Sequence, residues 1–144
     1  MEDRSITYHA DTNTYIVRKK AYFEDNISID GNMIVGSGTN FWKGLKVSGT
    51  LELGKGSFIR NDLETGSAVI GPRSKIGGNV HASNDLTLLD DVTVTGSAIC
   101  GGEMIVRPGC RIGFARADKW LELVGKVDIK SFESGTKVVV RSAE

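Results

Sequence analysis

A chain of 144 residues, 40% of them hydrophobic, is long enough to bury a core without disulfide or metal support, and we expect one domain. The 18 basic and 18 acidic residues cancel, which argues against recognition of nucleic acid or of an anionic membrane through bulk charge. The lack of an apolar run of roughly 18 to 20 residues, the polar start MEDRSITYHAD and the presence of only two cysteines together favour a cytoplasmic protein.

The chain divides into three segments. Residues 1–14 are mostly polar but include Ile6 and Tyr8, and we expect them to cap the first repeat or to cover one wall of the fold. Residues 15–140 carry a sequence repeat and form the domain proper. Residues 141–144 form a short tail, which we expect to leave the last repeat uncovered.

Apolar residues recur every 17 or 18 positions between residues 15 and 140. The first column consists of Tyr15, Met33, Leu51, Val69, Leu86, Met104, Leu121 and Val138. Its companion, two residues further along the chain, consists of Val17, Val35, Leu53, Gly71, Leu88, Val106, Leu123 and Val140. The second column consists of Phe23, Phe41, Phe58, Ile76, Val94, Ile112 and Ile129. The third column consists of Ile27, Leu45, Leu63, Val80, Ala98, Ala115 and Phe132.

Three short strands in each repeat explain this pattern. A helical period of 3.6 would scatter these positions around a helix, whereas strands on three faces of a coil place them all inward. Each strand then pairs with its equivalent one repeat later, and glycines cluster at the corners between strands. The sequence therefore predicts an all-β, single-domain parallel β-helix of about seven to eight coils. We expect it to be right-handed, because right-handed crossovers are the default between parallel strands.

The repeat resembles that of the bactofilins, a family of polymer-forming cytoskeletal β-helix proteins. The likeness lies in LKVSGTLELGKGSFI, SKIGGNVHASNDLTLLDDVTVTGSAI and EMIVRPGCRIG, where paired apolar residues precede glycine or small-residue corners. The resemblance implies a right-handed β-helix that assembles end to end into filaments without a nucleotide. It implies that the chain partners itself, with other cytoskeletal or envelope proteins as further candidates. We expect no nucleic-acid partner and no direct membrane association.

Two other interpretations stay open. The stretch VIGPRSKIGGNV is similar to two hexapeptide repeats of the left-handed β-helix acyltransferases, although the mixture of 17- and 18-residue spacings departs from their regular coil. The chain could also be a monomeric β-helical module that presents one wall to a binding partner. The bactofilin interpretation predicts filaments, and the acyltransferase interpretation predicts a trimer that binds acyl-CoA. The binding-module interpretation predicts a discrete monomer.

No group of residues predicts catalysis or cofactor binding. His81 lies in VHA between two inward positions, so we expect it on the surface without the partner and pocket that a general base needs. Two histidines are too few for the three-histidine zinc site of β-helical carbonic anhydrases. Cys100 and Cys110 fall in inward registers on different walls, and the pair Asp90 and Asp91 fits a solvated corner. We therefore expect neither an enzyme nor a metal or cofactor site.

Two surfaces are candidates for assembly. The ends of a β-helix present unpaired backbone groups, and we place the polymerisation interface on a set of residues from the two ends. These are Phe132, Val138, Val139 and Val140 at one end and Tyr22 and Phe23 at the other. The outward positions of the first wall are rich in β-branched aliphatics, which is typical of a contact site. This predicted lateral interface consists of Ile16, Ile34, Ile70 and Ile105.

Overall fold

The chain forms a parallel β-solenoid of about seven turns. The structure is a computed structural model that describes residues 5–135 and 137–142. Its first nine strands are β1 (Ile6–His9), β2 (Thr14–Val17), β3 (Tyr22–Phe23), β4 (Ile27–Ile29), β5 (Asn32–Val35), β6 (Asn40–Phe41), β7 (Leu45–Leu53), β8 (Phe58–Ile59) and β9 (Leu63–Ile70). The other nine are β10 (Lys75–Ile76), β11 (Val80–Ala82), β12 (Leu86–Leu88), β13 (Thr93–Cys100), β14 (Met104–Val106), β15 (Arg111–Ala117), β16 (Trp120–Val124), β17 (Asp128–Ser134) and β18 (Lys137–Arg141). This confirms the predicted all-β parallel coil.

Three walls run along the solenoid. Wall A contains β2, β5, the second half of β7, the second half of β9, β12, β14, β16 and β18. Wall B contains β3, β6, β8, β10 and the first halves of β13, β15 and β17. Wall C contains β4, the first halves of β7 and β9, β11, and the second halves of β13, β15 and β17. Each coil therefore passes from A to B to C, and β18 begins an eighth coil.

The long strands are those that continue around a corner. β7 and β9 pass from wall C to wall A, whereas β13, β15 and β17 pass from wall B to wall C. The pairing register shifts at two of these corners, between Val47 and Thr50 and between Val94 and Ser97. Such bulges bend a strand without breaking its ladder. Short glycine-containing corners thus let one strand serve two walls.

The inward columns form one continuous core. Residues in the middle coils are fully buried, including Met33, Leu51, Leu86, Leu88 and Met104, each with 0% of its surface exposed. From β2 onward, the described strand pairings are parallel and join residues 17 or 18 positions apart. The spacing predicted from the sequence is confirmed for most of the chain. The predicted right-handed sense stays a prediction.

The register predicted for two coils is wrong by one residue. Leu53 pairs with Ile70 and Glu52 with Val69, so Ile70 points inward with 0% exposure and Val69 points outward with 38% exposure. The corner before Ala68 is one residue shorter than the equivalent corner one coil earlier, which brings small Ala68 into the column. Ile70 therefore belongs to the core and does not form part of a lateral surface.

The second correction concerns wall B. Phe41 pairs with Ile59, which is fully buried, while Phe58 pairs with the outward residue Asn40 and is partly exposed. Phe58 and Ile59 are adjacent and both apolar, so hydrophobicity alone does not show which one points inward. Pairing with the neighbouring strand decides this, because a slip of one residue exchanges the two faces of a strand.

The N-terminal segment adds a partial coil. β1 pairs with β2 in an antiparallel sense, with Ile6 opposite Val17, whereas the other described pairs are parallel. A 3-10 turn over Ala10–Thr12 joins the two strands. β1 thus covers the first strand edge of wall A but adds no strand to walls B and C. The described part of the chain contains no helix that is long and apolar enough to cross a membrane.

One corner repeats the same backbone conformation in every coil. Between walls A and B, one residue in each coil has a positive φ of about the left-handed value. These residues are Lys20, Gly38, Gly56, Arg73, Asp91, Gly109 and Gly125. Their backbone N–H groups donate to carbonyls of the next coil, for example from Gly56 to Pro72 at 2.8 Å. The corner therefore depends on a conformation that costs little only for glycine.

Gly56→Ala is expected to lower the free energy of unfolding by about 1 kcal/mol, the cost of a non-glycine residue in the left-handed region. No atom lies within 4 Å of the position that its Cβ would take, so the backbone and not a clash causes the loss. Arg73→Gly at the equivalent position is expected to change stability in the opposite direction. Urea unfolding of both variants measures the difference, and an unchanged midpoint for Gly56→Ala would contradict this account of the corner.

Candidate assembly surfaces

The C-terminal coil presents an apolar surface. Phe132, Val138 and Val140 pair with Ala115, Leu121 and Leu123 and therefore continue the inward columns of walls C and A. No later strand among the described residues covers them, and their exposed fractions are 46%, 39% and 72%. The same side chains would be buried in the middle of the solenoid. The end of the coil is thus an unfinished core.

The backbone of this coil is also open on one side. Among the described strands, β17 pairs between coils only with β15, and β18 pairs only with β16. Each therefore presents one free edge of N–H and C=O groups, which can accept a further strand. Val139 differs from its neighbours because it pairs with the outward residue Glu122. Its side chain belongs to the outer surface of wall A and not to the inward column that ends at the coil.

The N-terminal end is more completely covered. β1 occupies the edge of wall A, and the Ser5 carbonyl accepts a hydrogen bond of 3.0 Å from the Arg18 N–H. Phe23 stacks on Phe41 with ring centroids 5.1 Å apart and is only 4% exposed, so its ring belongs to the core. This corrects the expectation that Phe23 lies on an exposed contact surface. Tyr22 points outward and is 55% exposed.

Wall A carries an interrupted aliphatic stripe on its outer surface. The outward residues are Ile16, Ile34, Glu52, Val69, Thr87, Ile105, Glu122 and Val139. Ile34 and Val69 are 40% and 38% exposed, while Ile16 and Ile105 are partly buried by their neighbours. Val69 takes the place predicted for Ile70. We call the five aliphatic members, Ile16, Ile34, Val69, Ile105 and Val139, the aliphatic stripe.

An aromatic cluster near the N-terminal end was not predicted from the sequence. The rings of Tyr22 and Trp42 lie 6.4 Å apart, and the Arg60 guanidinium lies 4.7 Å from the centre of the Trp42 ring. Trp42 is 43% exposed. The spacing of 18 residues between Trp42 and Arg60 was the available signal, because it equals one coil. The cluster provides a cation–π contact between adjacent coils.

A polar column inside the corner between walls A and B was also missed. Thr39, Ser57 and Ser74 are at most 1% exposed. The Thr39 hydroxyl donates to the Gly36 carbonyl at 2.9 Å, and the Ser74 hydroxyl donates to the Gly54 carbonyl at 3.1 Å. The Ser57 N–H donates in turn to the Ser74 hydroxyl at 3.2 Å. These hydroxyls satisfy backbone groups that the tight corner would otherwise leave unpaired.

His81 lies on the outer surface of wall C. It pairs with Glu64 and Ile99 on the neighbouring coils and is exposed. The depression beside it is shallow and open, and Lys46, Glu64 and Ser83 contribute to its lining. Such a depression encloses little of a small ligand, whereas binding sites bury most of theirs. The geometry around His81 is that of an ordinary surface histidine.

The two cysteines are buried thiols. Burial raises the pKa of Cys100 to about 11 and also raises the pKa of Cys110, since the charged thiolate loses its hydration. The Cys110 thiol donates to the Leu89 carbonyl at 3.0 Å. A neutral, enclosed thiol is a poor nucleophile and a poor metal ligand. Within residues 5–135 and 137–142, no three His, Cys, Asp or Glu side chains are grouped so that they could hold a metal ion.

No family model matches the chain, and neither curated proteins nor solved structures give a match. The assignment of function therefore depends on the surfaces described above and on the sequence resemblance.

Proposed function

We propose that this protein is a structural subunit that assembles end to end into filaments without a nucleotide. One observation carries the proposal: the terminal coil leaves Phe132, Val138 and Val140 exposed in positions that are buried in every middle coil. A second rod placed on this end would cover them. The resemblance to bactofilins points to the same function. A cytoplasmic location, and further cytoskeletal or envelope partners, stay predictions.

Two physical effects support stacking at this end. Apolar area removed from water contributes about 25 cal/mol per Å², and the exposed parts of the three side chains are the area available. The free edges of β17 and β18 add backbone hydrogen bonds that are otherwise made only to water. In a repeat protein each coil is stabilised mainly by its neighbours, so a second rod acts on the end coil as one more neighbour.

Electron microscopy of the purified protein in negative stain, without nucleotide, tests the proposal. Filaments whose repeat matches stacked solenoids are the expected result. A discrete monomer at all concentrations would overturn the proposal and would favour the binding-module interpretation. A trimer that binds acyl-CoA between subunits would favour the hexapeptide-type interpretation.

The aliphatic stripe is a second proposed contact, between filaments lying alongside each other. The double variant with Ile34→Lys and Val69→Lys is expected to keep the fold, because both side chains point outward, and to reduce lateral association in micrographs. The variant with Ser28→Lys and His81→Lys, both exposed on wall C, is the control for added charge. Equal lateral association in both variants would exclude the stripe as a contact.

A further inference from the structure

Charge is unevenly distributed around a chain whose net charge is zero. In the first four coils, the corner between walls A and B carries only cations among its described charged residues. We call these residues the basic edge: Arg18, Lys19, Lys20, Lys55 and Arg73. All five are exposed, and the first acidic residues on this corner are Asp90 and Asp91 in the fifth coil. The sum of charges over the chain conceals this edge.

Backbone hydrogen bonds between coils align the basic edge. The Lys20 N–H donates to the Ser37 carbonyl at 2.8 Å, and the Gly38 N–H donates to the Lys55 carbonyl at 2.9 Å. The Gly56 N–H continues the ladder to Pro72 at 2.8 Å. Neighbouring coils lie about 4.8 Å apart, so the cations of the first four coils follow one line of about 14 Å.

The other corner of wall A carries the opposite charge. Five corners between walls C and A join the first six coils; three of them contain an acidic residue, and none of the five contains a described Lys or Arg. We call Asp30, Asp85 and Glu103 the acidic edge, and all three are exposed. The Glu103 N–H donates to the Asp85 carboxylate at 2.9 Å, which connects consecutive coils along this corner.

The two edges flank the same wall and overlap along the rod. A second copy placed beside the first can therefore bring its acidic edge against the basic edge. From this charge complementarity we infer that the basic edge binds the acidic edge of a neighbouring copy and joins filaments side by side. The two edges are different surfaces, so the contact is heterologous and repeats without closing, which produces an open sheet or bundle.

This inference rests on the proposed function, because single exposed ion pairs contribute little and only repetition makes them effective. A filament repeats both edges along its whole length, and many weak contacts then act together. Exposed charge pairs are screened by salt. Filaments are therefore expected to bundle at about 0.05 M salt and to separate at about 0.5 M salt, where the Debye length falls below about 5 Å.

Charge reversal tests the pairing of the edges. The first variant combines Lys19→Glu, Lys20→Glu, Lys55→Glu and Arg73→Glu, and the second combines Asp30→Lys with Glu103→Lys. The third carries all six changes, which makes the former basic edge net acidic and the former acidic edge net basic and so restores complementary edges with exchanged signs. The control combines Lys43→Glu, Lys46→Glu, Lys75→Glu and Arg111→Glu. It changes the net charge as much as the first variant does but acts on walls B and C and the corner between them. Micrographs and low-speed pelleting at low salt measure bundling.

The first and second variants are each expected to form filaments but to lose most of the low-speed pellet at low salt. The six-change variant, and a mixture of the first two variants, are expected to bundle as the unmodified protein does. Failure of both to bundle would overturn the inference and would favour another anionic partner for the basic edge. Loss of bundling in the control would overturn it as well, since net charge would then be the cause.

Results from the unmodified protein distinguish the proposed function from the pairing of the edges. Filaments that never bundle at low salt would overturn the pairing of the edges and leave the proposed function standing. Absence of filaments at every salt concentration would overturn the proposed function and the inference with it.

Discussion

Phe132→Arg is expected to abolish long filaments while leaving the solenoid folded. Phe132 is 46% exposed on the last coil and pairs with Ala115, so its replacement removes packing only from the adjacent coil and not from the coils further inside. In a stacked pair the exposed part of the ring contributes about 1 kcal/mol per copy through burial. Arginine would place an unpaired charge in the same contact, where its lost hydration has no compensating partner. Negative-stain images and sedimentation velocity measure filament length.

Ser131→Arg is the matched control for Phe132→Arg. Ser131 is the neighbouring residue in the same strand and is exposed at the corner between walls B and C. The Ser131→Arg variant adds the same charge to the same coil without replacing an inward residue. We expect filaments from this control and far-UV circular dichroism of β type from both proteins. Long filaments from Phe132→Arg would remove the C-terminal coil as the polymerisation surface.

Leu88→Ala is expected to lower the free energy of unfolding by about 2 to 5 kcal/mol, through lost burial and the cavity that remains. Leu88 has 0% exposure in β12 and lies between its equivalents Ile70 and Val106 on wall A. Both neighbours depend on it, because each coil is stabilised by the coils above and below. The midpoint of urea unfolding measures the change.

Thr87→Ala provides the comparison for Leu88→Ala. Thr87 precedes Leu88 in the same strand, points outward and pairs with Val69 and Ile105. Its replacement is expected to change stability by about 0.5 kcal/mol or less, as is usual for surface positions. If Leu88→Ala shifted the midpoint no more than Thr87→Ala, the inward register of β12 would be wrong.

The repeat itself could be predicted because the core of a solenoid is periodic in sequence. Every inward position faces the same interior, so apolar residues recur wherever the chain returns to the same wall. Columns such as that of Leu45, Leu63 and Val80 on wall C are in the structure as the spacing predicts. The preference of each residue for the interior or for water determines this pattern, and that preference is known for each residue type separately.

Positions where adjacent residues are both apolar could not be assigned in this way. At Val69 and Ile70, and at Phe58 and Ile59, each residue is hydrophobic enough for the core. The length of the preceding corner and the ladder to the next coil decide which residue is buried. These are contacts between residues 17 or 18 positions apart, and they are formed only when neighbouring coils pair.

The candidate surfaces also differ in whether the sequence or only the structure places their residues. The sequence alone determined that Phe132, Val138 and Val140 close their columns, so their place on the last coil followed from the repeat. Only the tertiary structure decided that Ile70 is buried, that β1 covers one strand edge, and that cations distant in sequence share one corner. Periodicity records which residues avoid water, whereas strand pairing and corner geometry determine which side chains meet.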